Sequence, residues 1–190
     1  MQLKSDTYQW GSLAKTFHWL IVVLILAQAT LGLYMVSLPK RPSIIPYYTF
    51  HKSLGLTILL LAVLRLLWRV VDARPRMPAA MPAWQVAGAK LGHALLYGLL
   101  FAVPLSGWLF DSASSLRPLY WWHLVKMPAL THADKAFAQT AQLLHESLFW
   151  ALASVALAHA AVAIFHHFVS RDDVLRRMLP GRRATPESSH

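Results

Sequence analysis

Leu144 to His159, LHESLFWALASVALAH, carries two histidines, His145 and His159, fourteen residues apart on one apolar segment. Fourteen residues are close to four turns of an α-helix, so both imidazoles fall on nearly the same face, about 21 Å apart along the axis. A hydrocarbon core is about 30 Å thick. A helix crossing it here sets one histidine about a turn inside each surface.

The rest of the chain fits that setting. Of 190 residues 56% are apolar and only 14% charged, a balance that ordinary soluble domains do not show. Four segments are long and apolar enough to cross: Phe17 to Val36, Tyr47 to Val71, Leu91 to Phe110, and about Thr140 to Val169. The fold class expected is all-α, an integral membrane four-helix transmembrane bundle forming one domain over residues 1–190. The polar opening MQLKSDTYQWGSLAK leads into about twenty apolar residues rather than the shorter core and small-residue cleavage site of a signal peptide. Span one is therefore expected to stay in the mature protein.

A net charge of +10 suggests nucleic acid in a soluble chain, but here the charge sorts by side of the membrane. Lys4, Lys15, Arg65, Arg69, Arg74, Arg76, Lys90, Arg171, Arg176, Arg177, Arg182 and Arg183 fall on one face of a four-span arrangement. Lys40, Arg41, Lys52, Arg117, Lys126 and Lys135 fall on the other. The positive-inside rule makes the first face, with both termini, cytoplasmic. The partners expected are lipid and small molecules, not nucleic acid.

There is no cysteine, which excludes disulfides, iron–sulfur clusters, thiolate zinc sites and haem attached through Cys-x-x-Cys-His. Ten histidines against eight acids make imidazole the leading ligand for any cofactor. His18 sits about a turn inside the inner edge of span one, beside Trp19, an interface anchor. Gly32 thins the far half of that helix. Span two begins after Pro46, bringing His51 about a turn inside the outer edge, and Gly55 on the same face leaves room for a flat ring or another backbone.

Arg65, fourteen residues beyond His51, faces the same seam at the inner level. It either seeks an anion there or snorkels to the cytoplasmic headgroups. The loop DARPRMPAAMPAW reads as an extended connector, and Pro104 is expected to kink span three. The long outer connection places Tyr120, Trp121 and Trp122 at the interface, with a helical lead from Ala133 to Gln142. The tail after Pro180 reads as disordered.

Four histidines thus occupy matched depths, His18 with His159 at the inner level and His51 with His145 at the outer. Bis-histidine ligation of haem b needs two imidazoles on different helices facing across the macrocycle, and this plan offers two such pairs. A lone intramembrane histidine is more often a polar helix contact, but four at paired depths favour a cofactor. His123 and His132 fall in the outer loop and His190 in the tail. His93, His166 and His167 gather at the inner edge, each an interfacial residue alone but together a route for proton uptake.

FHWL around His18, YTFHKSLG around His51, LRLLWR around Arg65, LGHALLYGLLFAVPLSG around His93, LHE at His145 and LAHAAVAIFHHF after it resemble the prokaryotic cytochrome b561 family of four-helix di-haem membrane proteins. The resemblance covers nearly the whole chain. It implies two haem b groups per chain, with His18 and His159 as iron ligands on the cytoplasmic side and His51 and His145 on the periplasmic side. It also implies the activity of the free-standing members, superoxide oxidases that take electrons from superoxide outside and reduce ubiquinone near the cytoplasmic face.

On that reading Arg65 and Lys52 are candidate propionate partners and His93 a candidate quinone or proton site. Six basic residues against Asp111, Asp134 and Glu146 leave the outer face positive, which steers a small anion. Two alternatives remain. One is a cytochrome b relay subunit that takes electrons from a docked periplasmic dehydrogenase or hydrogenase. The other is a haem-free metal transporter, which the spacing of the two levels disfavours.

Overall fold

The computed structural model describes residues 2–73, 75–76, 81–115 and 117–181. Arg74, Arg182, Arg183, His190, the tail from residue 182 and part of the inner connector lie outside the described residues. Four helices carry the chain: α1 Ser12–Ser37, α2 Ile45–Val71, α3 Ala83–Ser114 and α4 Lys135–Phe165, the last continued by a π-helical turn over His166–Ser170. All four are long and apolar enough to cross a membrane. A two-stranded hairpin, β1 Tyr120–Trp121 and β2 Val125–Lys126, lies between α3 and α4.

The helices outrun the apolar spans at ends that have local causes. Pro82 begins α3 eight residues before the span expected at Leu91, its carbonyl accepting from the amides of Gln85 and Val86 at 3.0 and 3.2 Å. The connector is correspondingly shorter than expected. Asp134 caps α4, its Oδ1 accepting from Phe137 N–H at 3.0 Å, so the helical lead starts at Lys135. Pro46 lies within the first turn of α2, where its missing N–H costs nothing, and a 3-10 turn over Pro42–Ile44 precedes it. Helix α3 runs unbroken through Pro104.

The chain divides into two compact units, and every helix contributes to both. The hairpin unit comprises Ile21–Ala62 and Tyr97–Leu152. Its core is Ile21, Leu54, Ile58, Ala62 and Leu100, with the α2 members four residues apart along one face. Ala62 is fully buried, a small residue where helices approach closely.

The hairpin is fastened to α2 by its polar atoms. Ser53 Oγ accepts from Trp122 N–H at 3.0 Å, and Thr57 Oγ accepts from the indoles of Trp121 and Trp122 at 3.1 and 2.9 Å. Two of the aromatics expected at the interface are thus turned onto a helix. Trp122 and His123 take the turn with φ of 51° and 60°, a region that favours glycine or asparagine.

The terminal unit comprises Met1–Leu20, Val63–Leu96 and Ala153–His190. Asp72 at the end of α2 accepts from Ser5 twice, from its N–H at 2.8 Å and its hydroxyl at 2.5 Å. Ser5 Oγ in turn accepts from Gly11 N–H at 2.9 Å. A Cβ on Gly11 would meet Leu3 O at 2.4 Å, so no larger residue fits this bend. Asp6 accepts from the amides of Gln9 and Tyr8, and these two bonds hold its carboxyl below the usual range. The C-terminal stretch is tied in as well, Lys15 Nζ donating to Leu179 O and Trp19 Nε1 to Met178 O.

Candidate cofactor sites

Each unit holds two imidazoles from different helices facing one another. In the hairpin unit His51 of α2 and His145 of α4 have ring centroids 6.3 Å apart at an interplanar angle of 88°. In the terminal unit His18 of α1 and His159 of α4 stand 6.4 Å apart at 72°. These are the histidines that the spacing set at matched depths.

Glycine lets these rings sit where they do. A Cβ on Gly107 of α3 would lie 3.0 Å from His145 Cε1, and one on Gly32 of α1 would lie 3.2 Å from His51 Cε1. Both contacts are tighter than a side chain tolerates without movement. Gly55, expected to admit a flat ring or backbone, instead faces Gln28, whose amide nitrogen donates to His51 O at 2.8 Å.

The ring nitrogens are distinguished by their partners. His145 Nδ1 lies 2.9 Å from Val103 O and 3.1 Å from Ser106 Oγ. A carbonyl only accepts, so Nδ1 carries the proton and Nε2 keeps a free lone pair, the arrangement typical of a metal-ligating histidine. His51 Nδ1 is buried with no hydrogen-bond partner. Lys52 forms an ion pair with Asp111 of α3, so the expected propionate partner is already engaged with a carboxylate.

The terminal unit is furnished differently. Arg65 Nη2 lies 3.2 Å from His18 Nδ1; a guanidinium only donates, so Nδ1 accepts and the His18 proton lies on Nε2, which a metal bound there would displace. His93 of α3 packs its ring 5.4 Å from that of His159 at 62°. Of the two histidines grouped with His93, His166 is buried and bonded to Asp172 Oδ2 at 2.5 Å, while His167 Nδ1 is buried without a partner. His93 turns to His159. His123 occupies the hairpin turn, and His132 lines a surface pocket with Thr131, Asp134 and Phe137.

The donor set suits a metal held from two opposite sides. A transition-metal ion lies about 2 Å from an imidazole nitrogen, itself about 1 Å from the ring centroid, so a shared ion sets the centroids about 6 Å apart. Both facing pairs meet that spacing; His93 and His159 are closer. Among the described residues no group of three or more His, Asp or Glu is placed to cage an ion. Such a pair of imidazoles would hold the iron of a haem, which would supply one-electron chemistry there.

Sequence reasoning singled out five histidines, His18, His51, His93, His145 and His159, and two cations, Lys52 and Arg65, but not the residues that touch them. Val103, Ser106 and Gly107 lie within LGHALLYGLLFAVPLSG and Gly32 was noted only for thinning its helix, so none was tied to a histidine, and Gln28 carries no motif. Asp111 had a signal, as one of few acids near the outer edge.

A sequence model of a family described as "Prokaryotic cytochrome b561" matches residues 9–181. Among curated proteins the chain is 33% identical to "Cytochrome b561 homolog 2" of Escherichia coli (strain K12), covering 94% of this chain and 95% of that one. It is 31% identical to "Cytochrome b561 homolog 1" of the same organism, over 70% and 74% of the two chains. It is 30% identical to "Probable superoxide oxidase CybB" of Yersinia pestis, over 87% and 93%.

Proposed function

Because the chain belongs to the prokaryotic cytochrome b561 family, a family of membrane cytochromes b that transfer electrons, we propose that it is a di-haem superoxide oxidase. One haem b is held by His18 and His159 and a second by His51 and His145. The net reaction oxidises two superoxide anions to two molecules of oxygen and reduces one ubiquinone to ubiquinol with two protons. Bound haem supplies one-electron oxidation and reduction at each site. The observation that carries the reading is the pair of facing imidazoles in each unit, at 6.3 and 6.4 Å, in a chain of this family.

The chain's own residues take defined parts. In the hairpin unit Arg117 and Lys126 line a cleft of about 280 Å³ that also reaches Asp111, partner of Lys52 beside His51. Their charge attracts a small monoanion toward the His51–His145 site, on the periplasmic side of the inner membrane. In the terminal unit, on the cytoplasmic side, His93 lies against His159 and supplies a proton to reduced quinone. Arg65, with donors only, is the partner for a haem carboxylate at that level. The relative from Yersinia pestis, whose printed name is a superoxide oxidase, supports the choice of electron donor.

The test is reduction of the purified protein by a superoxide-generating system, followed by reoxidation with ubiquinone. Fast reduction that superoxide dismutase abolishes is expected. A haem-loaded protein indifferent to superoxide would instead be a relay subunit for a docked dehydrogenase.

A further inference from the structure

We propose that the cleft beside the hairpin binds the phosphate of an anionic phospholipid. Such a site is independent of the di-haem reading above. Its polar lining is Asp111, Ser112 and Ser115 at the end of α3 together with Arg117 and Lys126, and its other walls are apolar. Asp111 is held by Lys52. Ser112 Oγ donates to Trp108 O at 2.9 Å and accepts from Leu130 N–H at 3.1 Å, and Ser115 Oγ donates to Ser112 O at 3.0 Å. The cations are different: among the described residues, neither the Arg117 guanidinium nor the Lys126 ammonium is bonded to another group. Both only donate, so what completes them is an acceptor that carries negative charge. The walls around them are fastened on both sides, Met127 N–H donating to Leu119 O at 2.9 Å and Trp108 Nε1 to Pro128 O at 3.0 Å.

Size, depth and surroundings identify the anion. The cleft encloses about 280 Å³, room for about nine waters and far more than a diatomic anion fills. The apolar run of α3 ends at Phe110, so the cleft begins where hydrocarbon gives way to headgroups, the layer that holds lipid phosphates. Leu124 at the hairpin turn, Val125 beside Lys126 and Leu130 beside Ala129 are 84%, 49% and 46% exposed, an apolar surface for acyl chains next to the charges. Arg117 has the planar fork that meets two phosphate oxygens at once. Because Asp111 is engaged by Lys52, the lining offers nothing to the ammonium of a zwitterionic headgroup, which selects a lipid of net negative charge. One such phosphate balances one of the two cleft charges and leaves the other to draw superoxide, so bound lipid moderates the steering.

Native mass spectrometry of the full chain in detergent, titrated with phosphatidylglycerol, tests the site without reference to turnover. One lipid should bind saturably, and phosphatidylcholine and phosphatidylethanolamine should bind much more weakly. Arg117→Gln and Lys126→Gln should each weaken phosphatidylglycerol about 5-fold and the double variant about 30-fold, from the attraction of a basic side chain at a lipid surface. Lys40→Gln with Arg41→Gln, exposed cations of the link between α1 and α2, should leave binding unchanged. Asp111→Asn, which frees Lys52, should tighten it. Equal binding of phosphatidylglycerol and phosphatidylcholine overturns the proposal, and that comparison, made on the unaltered protein, stands even if the double variant fails to fold. Equal weakening by the Lys40 and Arg41 changes overturns it too, since the effect would then be one of overall surface charge. Inorganic phosphate that displaces the lipid at equal concentration would make this a site for free phosphate and overturns it as well.

Discussion

The two units draw one histidine each from α4 and one from another helix, yet they surround the pair in contrasting ways. Around His51 and His145 the neighbours are glycines, a carbonyl, a hydroxyl and a neutralised ion pair. Around His18 and His159 they are a guanidinium and a third imidazole. A ligand pair needs only spacing, which the helix repeat supplies twice. What the pair is used for depends on its neighbours, and here they differ in charge and in hydrogen bonding.

The largest effect expected comes from removing ligands. His51→Ala or His145→Ala should take the haem content from two per chain to one, with the same spectral component lost in both. His18→Ala and His159→Ala should remove the other. Pyridine haemochrome against protein concentration reads the ratio. If His18→Ala and His51→Ala abolished the same component, the contrast between the units would have no basis.

Next in size is the third imidazole. Replacing His93 with alanine should slow reoxidation by ubiquinone about 10²-fold, the lower end for loss of a positioned proton donor, and leave reduction from outside nearly unchanged. Stopped-flow traces of the two half-reactions separate them. Equal slowing of both would remove His93 from the exit site.

The glycine supports of the hairpin unit predict a smaller and more local effect. Gly107→Val should cost about 1–3 kcal/mol through crowding of His145 and should loosen the hairpin-unit haem alone. Gly55→Val should cost less, since its nearest neighbour is the end of the flexible Gln28 side chain, 3.2 Å away. Thermal release of each haem component, followed by absorbance, checks both. Loss of the terminal-unit haem in Gly107→Val would contradict the division.

Much of this was legible in the residues and some was not, for physical reasons. The spans show because runs of about twenty apolar residues have few other uses. The histidine pairs show because helical spacing fixes face and depth. Helix ends were less visible: AWQVAGAK is not apolar enough to mark a span, yet Pro82 starts α3 before it. The hairpin was invisible, since its turn is made by Trp122 and His123 rather than by glycine or asparagine. Val103 could not be found either, because a main-chain carbonyl has no sequence signal and which one meets His145 depends on how α3 and α4 are rotated.

The smallest effect expected is electrostatic and concerns how superoxide reaches the hairpin unit. Exposed charges act over about 8–10 Å at physiological salt, so reduction by superoxide should slow as ionic strength rises. Arg117 and Lys126 line the cleft beside Asp111, and replacing both with glutamine should lower the rate a few-fold and flatten the salt dependence while the haem spectrum stays intact. Lys52 is a different case. Its charge is held by Asp111, so Lys52→Gln exposes a carboxylate and should slow the reaction, whereas Asp111→Asn frees the ammonium and should speed it and steepen the salt slope. If Lys52 instead turned to a haem propionate once the site was loaded, Asp111→Asn would leave the rate and the slope alone and Lys52→Gln would shift the potential of the hairpin-unit haem. Opposite changes in rate for the two variants, at constant potential, keep the ion pair as the regulator of local charge; a fast reaction indifferent to salt in every variant rejects steering altogether.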